Sequence, residues 1–257
     1  MKVVVLGGSG LIGSRLVAQL ATRGHQVVSA SRATGVDVVT GAGLAEVLAG
    51  ADSVVDVTNA PPSSADDIAD FFRTATANVL AAEATAGVAH HVTLSVVGAD
   101  RVHDSGYFRG KAVQERLVQT SGRPHTIVRS TQFFEFLHVI ADSATSGHEV
   151  RLSPVLFQPV AAADLVEVLE RVATGAPTNG VVEVAGPEQV PIADLVTRAL
   201  ARAADPRVVL ADPHATYFDA ELREGQLLPG PEAVITTTTF DHWVTTSGDW
   251  RASSSGA

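Results

Sequence analysis

Seven residues near the start, Gly7-Gly8-Ser9-Gly10-Leu11-Ile12-Gly13, constrain this chain more than any other feature. Before them stands Val3-Val4-Val5-Leu6, an apolar β-branched run that reads as a buried strand. After them, over residues 11–21, Ile12, Leu16 and Leu20 recur on one helical face. Glycines set between a buried strand and a helix have few uses. Gly7 permits a tight turn, Gly10 lets backbone amides approach a diphosphate, and Gly13 lets the helix pack closely on the strand. The free amides of the helix N-terminus and its positive dipole end then face the same point. A loop that is merely flexible needs neither the strand before it nor the helix after it. The segment therefore predicts a dinucleotide site built from Gly7, Ser9, Gly10, Leu11, Ile12 and Gly13.

The rhythm of the chain supports that expectation. Gly24 is placed to end the first helix, and short apolar runs at 27–30, 36–39 and 53–57 read as a second, third and fourth strand. A long helix covers 65–86, where Ile68, Phe71, Phe72, Ala75, Val79 and Ala82 keep helical spacing. A strand at 91–97, a helix at 106–121 and a strand at 126–129 follow. Alternation of this kind predicts an α/β fold, a Rossmann-type doubly wound parallel sheet with helices on both faces. Beyond Gly147 the segments shorten, and Pro/Gly punctuation appears at Gly175-Ala176-Pro177 and Leu228-Pro229-Gly230-Pro231. The expected division is a dinucleotide-binding domain over 1–150. A smaller mixed region over 151–257 completes the sheet, packs on its carboxyl ends and forms the substrate pocket. Asp164 reads as a cap or first-turn acid of a helix at 165–172, the Thr236 to Thr239 run as an exposed or edge strand, and 253–257 as a frayed tail.

Charge and composition exclude several functions. Acidic residues outnumber basic ones 28 to 18, a net charge of -10, and no Lys/Arg run offsets it, so a nucleic-acid partner is not expected. The absence of cysteine rules out disulfides, a thiolate zinc site and a cysteine nucleophile, and suits a reducing compartment. No apolar stretch approaches the roughly 18 residues of a membrane span, and the apolar start runs straight into the glycine loop, so a cytoplasmic protein is expected. The nine histidines show no metal-ligand spacing.

The end of the second strand selects the dinucleotide. An acid there would hold a ribose 2′-hydroxyl, but the residues are Ser29-Ala30-Ser31-Arg32, and Asp37 lies too far on. Arg32 can clamp a 2′-phosphate, with Ser31 donating a hydrogen bond, which predicts NADP (NADPH) as cofactor; the alternative is an ordinary solvated arginine. Further along, Tyr107-Phe108-Arg109-Gly110-Lys111 puts a phenol and an ammonium one helical turn apart on one face. Such an ammonium favours the phenolate and lowers the tyrosine toward working pH, making it a usable acid/base. Ser95, at the carboxyl end of the preceding strand, can hydrogen-bond a substrate oxygen. Asn78 can hold a water or a backbone carbonyl. Phe133 either shields a nicotinamide or joins Phe134 in the core, and Glu135 is a buried polar contact or a substrate ligand.

Taken together these segments resemble the short-chain dehydrogenase/reductase superfamily, in particular its atypical, NmrA-like branch. The glycine loop matches its opening motif, and Tyr107 through Lys111 matches its Tyr-x-x-x-Lys motif. Val57-Thr58-Asn59-Ala60-Pro61 resembles its fourth-strand end, and Leu94-Ser95-Val96-Val97-Gly98-Ala99-Asp100 its fifth-strand segment. Ile127 through Phe134 resembles the strand that closes the nicotinamide pocket, with Ser130 where many extended members carry proline. The resemblance covers roughly residues 1–170. It implies that Thr58, Asn59 and Ala60 border the adenosine and ribose, that Lys111 binds the nicotinamide ribose, and that Tyr107 is the acid/base. The activity it implies is NADPH-dependent reduction of a carbonyl or activated double bond in a small molecule. Two other readings stay open: a non-catalytic NADP sensor, and an epimerase or dehydratase that retains its cofactor.

Overall fold

Each buried β-branched run of the first half becomes a strand, with one exception, and the amphipathic runs become the helices that cross back over the sheet. The computed structural model describes residues 1–61 and 63–246, so the expected tail at 253–257 lies outside the described residues. In chain order the first half holds β1 (Lys2–Leu6), α1 (Leu11–Thr22), β2 (Gln26–Ala30), α2 (Leu44–Leu48), β3 (Ser53–Asp56), α3 (Ala65–Ala86), β4 (His90–Val96), α4 (Gly106–Thr120) and β5 (His125–Ser130). Next come α5 (Leu137–Ser143), β6 (Thr145–Ser146), β7 (Glu149–Leu152), β8 (Leu156–Phe157), α6 (Ala162–Thr174) and β9 (Gly180–Ala185). The chain closes with β10 (Val190–Pro191), α7 (Ile192–Arg202), β11 (Val208–Ala211), β12 (Thr216–Tyr217), β13 (Ala220–Glu221), β14 (Val234–Ile235) and α8 (Phe240–Thr246).

Seven strands make one parallel sheet in the order β14-β9-β5-β4-β3-β1-β2, the doubly wound Rossmann-type arrangement. The chain steps outward from β1 to β2, then crosses back to β3 and continues the other way. Strand order therefore reverses around β1, and a crevice opens beyond the carboxyl ends there. Side chains alternate across the sheet. Val3 and Val5 meet Leu16, Leu20, Leu165 and Leu169 on one face, while Val4 and Leu6 meet Leu44, Leu48 and Val79 on the other. Both faces being covered explains why the strands read as almost continuous apolar runs. A third apolar cluster, with Phe108, Phe134, Phe157, Leu195, Phe240 and Trp243, ties α4 to the C-terminal elements. No helix among the described residues is long and apolar enough to cross a membrane.

The exception is the expected third strand at 36–39, which is a turn. Gly35, Gly41 and Gly43 take positive φ, and the Asp37 carboxylate accepts from the amides of Val39 at 2.8 Å and Thr40 at 3.3 Å. An Asx turn of this kind diverts the backbone amides that a sheet edge needs. Asn78 fixes the loop from α3, donating to the carbonyls of Val38 at 3.1 Å and Val39 at 2.7 Å, so of its two expected uses it serves the backbone. A smaller displacement concerns the Thr236 to Thr239 run: the edge strand is Val234–Ile235, just before it. Thr238 binds Asp164 through its amide at 3.1 Å and its hydroxyl at 2.8 Å, and Asp164 sits in the first turn of α6.

α4 passes unusually close to α3. A methyl group on Gly110 would stand 2.8 Å from the Phe72 ring, and one on Gly106 would strike Ala65. These two glycines, one turn apart, let the helix carrying Tyr107 and Lys111 settle onto Phe72.

At the opposite, amino-terminal end of the sheet, His90 and His91 are both buried. Burial would lower His91, but the Glu83 carboxylate 2.8 Å from its Nδ1 outweighs burial and raises it. His90 bonds Thr126 Oγ1 at 3.0 Å, and burial, then the charge on His91, hold it down to about 4. The unfolded chain takes up that proton near 6.5 and the folded chain only near 4, so the stability His90 contributes is lost as pH falls through this window. Urea unfolding of the native protein and of His90→Asn at pH 7 and pH 4.5 should show the native protein losing about 2–3 kcal/mol more than the variant. Equal losses would show that His90 does not hold off its proton in the fold.

Candidate cofactor and active site

The loop between β1 and α1 closes on itself through the backbone. The amides of Gly7 and Gly8 donate to Ala30 O at 2.9 and 3.2 Å, and the Gly10 amide donates to Gly7 O at 3.0 Å. Packing explains three of its four glycines. Gly7 has φ +81° and its Cβ would lie 2.9 Å from Val57 O; at Gly8 a Cβ would strike Ser29, and at Gly13 the carbonyl of Gly7. Gly8, which the motif does not single out, is thus as constrained as the others. Gly10 differs. Its φ of -80° and ψ of -179° suit any residue, and its Cβ would meet only Gly7 O, at 3.4 Å. Nothing in the protein calls for glycine there, so the open space belongs to a group that approaches from outside, as a diphosphate does. Gly10 is also the N-cap of α1 and offers no side-chain oxygen, which leaves first-turn amides free for such a group. Ser9 is exposed beside it, Leu11 is partly buried, and Ile12 packs inward.

β2 ends at Ala30, and the chain turns through a single helical turn at Arg32–Thr34. The Ser31 amide donates to Thr34 Oγ1 at 2.9 Å, and the Ser31 side chain faces the Thr34 amide in a reciprocal capping box. Arg32 is exposed and forms no ion pair among the described residues. On the other side of the crevice, Asp56 ends β3 and is buried. Its Oδ1 accepts from the Thr58 amide at 2.9 Å and the Thr58 hydroxyl at 2.6 Å. Asn59 is exposed and Ala60 half-buried where this strand end opens.

Tyr107 and Lys111 share a face of α4, as their spacing predicts, but they do not form the expected couple. Lys111 Nζ donates to Leu94 O and to Gln114 Oε1, both at 2.9 Å, and stands 4.3 Å above the Phe72 ring. Burial lowers it to about 8, against the opposing pull of Asp56 and Glu115. Tyr107 packs edge-on to Phe72 and Phe108, and burial raises it to about 12. The expected lowering of the phenol is therefore corrected: the low-dielectric packing acts on both groups, destabilising the phenolate and the ammonium alike. At neutral pH Tyr107 is a protonated phenol.

Ser95 is buried on β4, one residue past the carbonyl that holds Lys111, and its Oγ has no hydrogen-bond partner among the described residues. In parallel register it neighbours Arg129, whose guanidinium grips Glu115 at 2.6 and 2.8 Å and Asp100 at 2.8 Å. Phe133 is half-buried and packs 5.6 Å from Phe136, whereas Phe134 is core, against Phe240 and Trp243. Glu135 is a buried polar contact: it accepts from Arg15, the Ala162 amide and Trp243 Nε1, all near 3.3 Å. Three residues of this neighbourhood escaped sequence reasoning. Asp56 and Gln114 form the polar bridge to Lys111. Tyr217, the chain's other tyrosine, is buried in the apolar cluster on which Tyr107 packs, close enough that charge on Tyr107 would raise it beyond the effect of burial. Its hairpin turns through Phe218 and Asp219, both at positive φ. The only sequence signal was the scarcity of tyrosine itself. Among the described residues no three His, Asp or Glu side chains gather as a metal site would require.

The sequence profile of a family described as NAD(P)H-binding matches residues 7–136, which spans the loop, the three catalytic candidates Ser95, Tyr107 and Lys111, and Phe133. No protein of curated function matches the chain. Among solved structures, a dTDP-4-dehydrorhamnose reductase of Clostridium acetobutylicum superposes with TM-score 0.69 at 15% identity, covering 98% of this chain and 96% of that one. The UDP-glucose 4-epimerase of Thermus thermophilus, solved with NAD, gives TM-score 0.69 at 18% identity, covering 92% and 90%. An NADPH-dependent quinone oxidoreductase of Escherichia coli gives 0.60 at 17%, covering 82% and 78%. At these identities the likeness is one of fold.

The two kinds of glycine in the loop are separable by experiment. Gly10→Ala should keep the native melting temperature while weakening NADP(H) binding by about tenfold or more, since only an outside group meets the added methyl. Gly13→Ala should melt markedly earlier, because its methyl meets Gly7 O. Calorimetry and thermal unfolding of both variants check this; unchanged affinity in Gly10→Ala would remove the diphosphate from the loop.

Proposed function

The chain belongs to the NAD(P)H-binding family, and on that premise we propose that it is an NADPH-dependent reductase of the short-chain dehydrogenase/reductase type. Within that type we place it beside the NmrA-like branch, on its glycine loop, its Leu94 to Asp100 segment and its Tyr107-x-x-x-Lys111 pair. The observation that carries the reading is the glycine loop at the carboxyl edge of the sheet, where the fold leaves room at Gly10, together with Tyr107 and Lys111 on one face of the helix that follows β4. Reduction of a carbonyl or activated double bond needs a proton donor, and Tyr107 is one at any physiological pH. Residues 1–150 serve the cofactor and 151–257 the substrate, in a cytoplasmic protein acting on a small organic molecule.

Bound NADPH would supply a hydride. The chain's own part divides among named groups. Amides at Ser9 and in the first turn of α1, Leu11 to Gly13, hold the diphosphate, and Arg32 with Ser31 holds the 2′-phosphate, a role suited to an exposed arginine with no carboxylate of its own. Thr58, Asn59 and Ala60 flank the adenosine side, Lys111 holds the nicotinamide ribose, and Phe133 screens the ring from water. Ser95 orients the substrate oxygen, and Tyr107 gives that oxygen its proton. The solved structures of similar fold include reductases and a UDP-glucose 4-epimerase in complex with NAD, so a sugar nucleotide joins the substrate panel alongside quinones, ketones and enones.

Two variants test the assignment. Tyr107→Phe should lower turnover by about two orders of magnitude with NADPH affinity unchanged, the signature of a lost general acid; unchanged turnover would take Tyr107 out of the chemistry. Arg32→Ala should weaken NADPH by about 10–100-fold, the value of a charged hydrogen bond, and leave NADH untouched. A native preference for NADH would discard the role of Arg32. Persistent failure to oxidise NADPH across the panel would favour a sensor, and substrate conversion without NADPH loss an epimerase.

A further inference from the structure

Gln114 lies one helical turn beyond Lys111 on α4, and only 1% of it is exposed. No role above needs it, and an apolar side chain would pack there without two polar ends to satisfy. Both ends are satisfied, in one direction only. Oε1 accepts from Lys111 Nζ at 2.9 Å, and Nε2 donates to Asp56 Oδ2 at 3.1 Å. The other oxygen of Asp56 is already taken by Thr58. The result is a chain of four side chains, Lys111-Gln114-Asp56-Thr58, running from the middle of α4 to the end of β3.

The chemistry of that chain is specific. A buried ammonium needs acceptors and a buried carboxylate needs donors. Direct contact would answer both and lock the two charges into an ion pair, with the lysine drawn onto β3. A neutral amide between them satisfies each while keeping them apart, and the Leu94 carbonyl and Phe72 ring fix the ammonium from β4 and α3. We propose that Gln114 is a positioning residue of the cofactor site: it holds the Lys111 ammonium in place without an ion pair and sets the charge that Lys111 offers the cofactor. This rests on the reading that Lys111 faces the nicotinamide ribose.

The groups around the ammonium are few. Asp56 faces it from β3, Glu115 from α4 itself, the Tyr107 phenol stands one turn back, and Phe72 lies beneath it from α3. Desolvation works against the charge, and Asp56 and Glu115 work for it. The neutral amine can donate the same bond but more weakly than the ammonium, so loss of the Gln114 acceptor favours the neutral form.

The chain has just two lysines, Lys2 and Lys111, so the test is direct. In cofactor-free protein carrying 13C-labelled lysine, two Cε signals are expected, that of Lys2 being assigned with Lys2→Arg. The Lys111 signal should titrate near pH 8 in the native protein. It should titrate about one pH unit lower in Gln114→Met and about one unit higher in Gln114→Glu. At pH 7.5 the Met variant should bind NADP+ about threefold more weakly, in proportion to the fraction of Lys111 still charged. Added NADP+ should move the Lys111 signal and leave that of Lys2 in place. A merely structural glutamine would change the melting temperature and leave the Lys111 midpoint where it was, and that result overturns the proposal. Gln114→Asn, whose amide is one methylene too short to reach Lys111, should lower the midpoint as well and decides the matter if the Met variant does not fold. A native Lys111 signal that ignores NADP+ would instead remove the lysine from the cofactor site, with its seating by Gln114 judged separately by the midpoints.

Discussion

The contact on which the rest of the site depends is that of Gly13 against the carbonyl of Gly7. It admits no side chain, and it sets how near the first turn of α1 can come to the end of β1. Everything the cofactor loop offers follows from that approach. The Gly10 amide is turned back onto Gly7, the helix dipole is aimed over the carboxyl edge of the sheet, and the crevice at the strand reversal gains a floor of backbone donors. Because Gly7, Gly8 and Gly13 are fixed by the protein's own packing, the freedom left at Gly10 becomes informative. There the backbone and packing of the protein would admit a Cβ, which they do not at the other three.

A second constraint acts on α4. Gly106 and Gly110 bring it so close to α3 that Lys111 is buried and Tyr107 partly so. The same desolvation moves the two groups in opposite senses relative to their ordinary values, and each shift favours the neutral form. For the phenol it tightens the hold on its own proton. For the lysine it is a cost, and the polar chain through Gln114 to Asp56 offsets it. The site thus joins an apolar half, where Tyr107, Phe108 and Tyr217 meet the C-terminal cluster, to a polar half that ends at Thr58.

The fold was legible because its signals are local. The strand, loop and helix of the first unit, the long α3 and the Tyr-x-x-x-Lys face all rest on residues within one or two turns of each other. The reading failed at 36–39 for an equally physical reason: alternating apolar residues look like a strand until Asp37 folds back on Val39 and Asn78 reaches across from α3. Sequence spacing also put an ammonium beside a phenol without saying where the ammonium points. Its acceptors, Leu94 O and Gln114, are supplied by a strand 17 residues away and by the next helical turn. Tyr217 and Asp56 were out of reach altogether, since burial and three-dimensional neighbours, not periodicity, make them part of the site.

The opposite shifts of Tyr107 and Lys111 also fix the range in which the site is correctly charged. A donor phenol survives to about pH 12, whereas the ammonium is lost as pH rises through about 8. Of the two groups the lysine is therefore the first to change charge as pH rises. In a site where the ammonium lowered the tyrosine, the phenol would ionise closer to working pH. Here burial keeps the two ionisations apart, with that of Lys111 the lower.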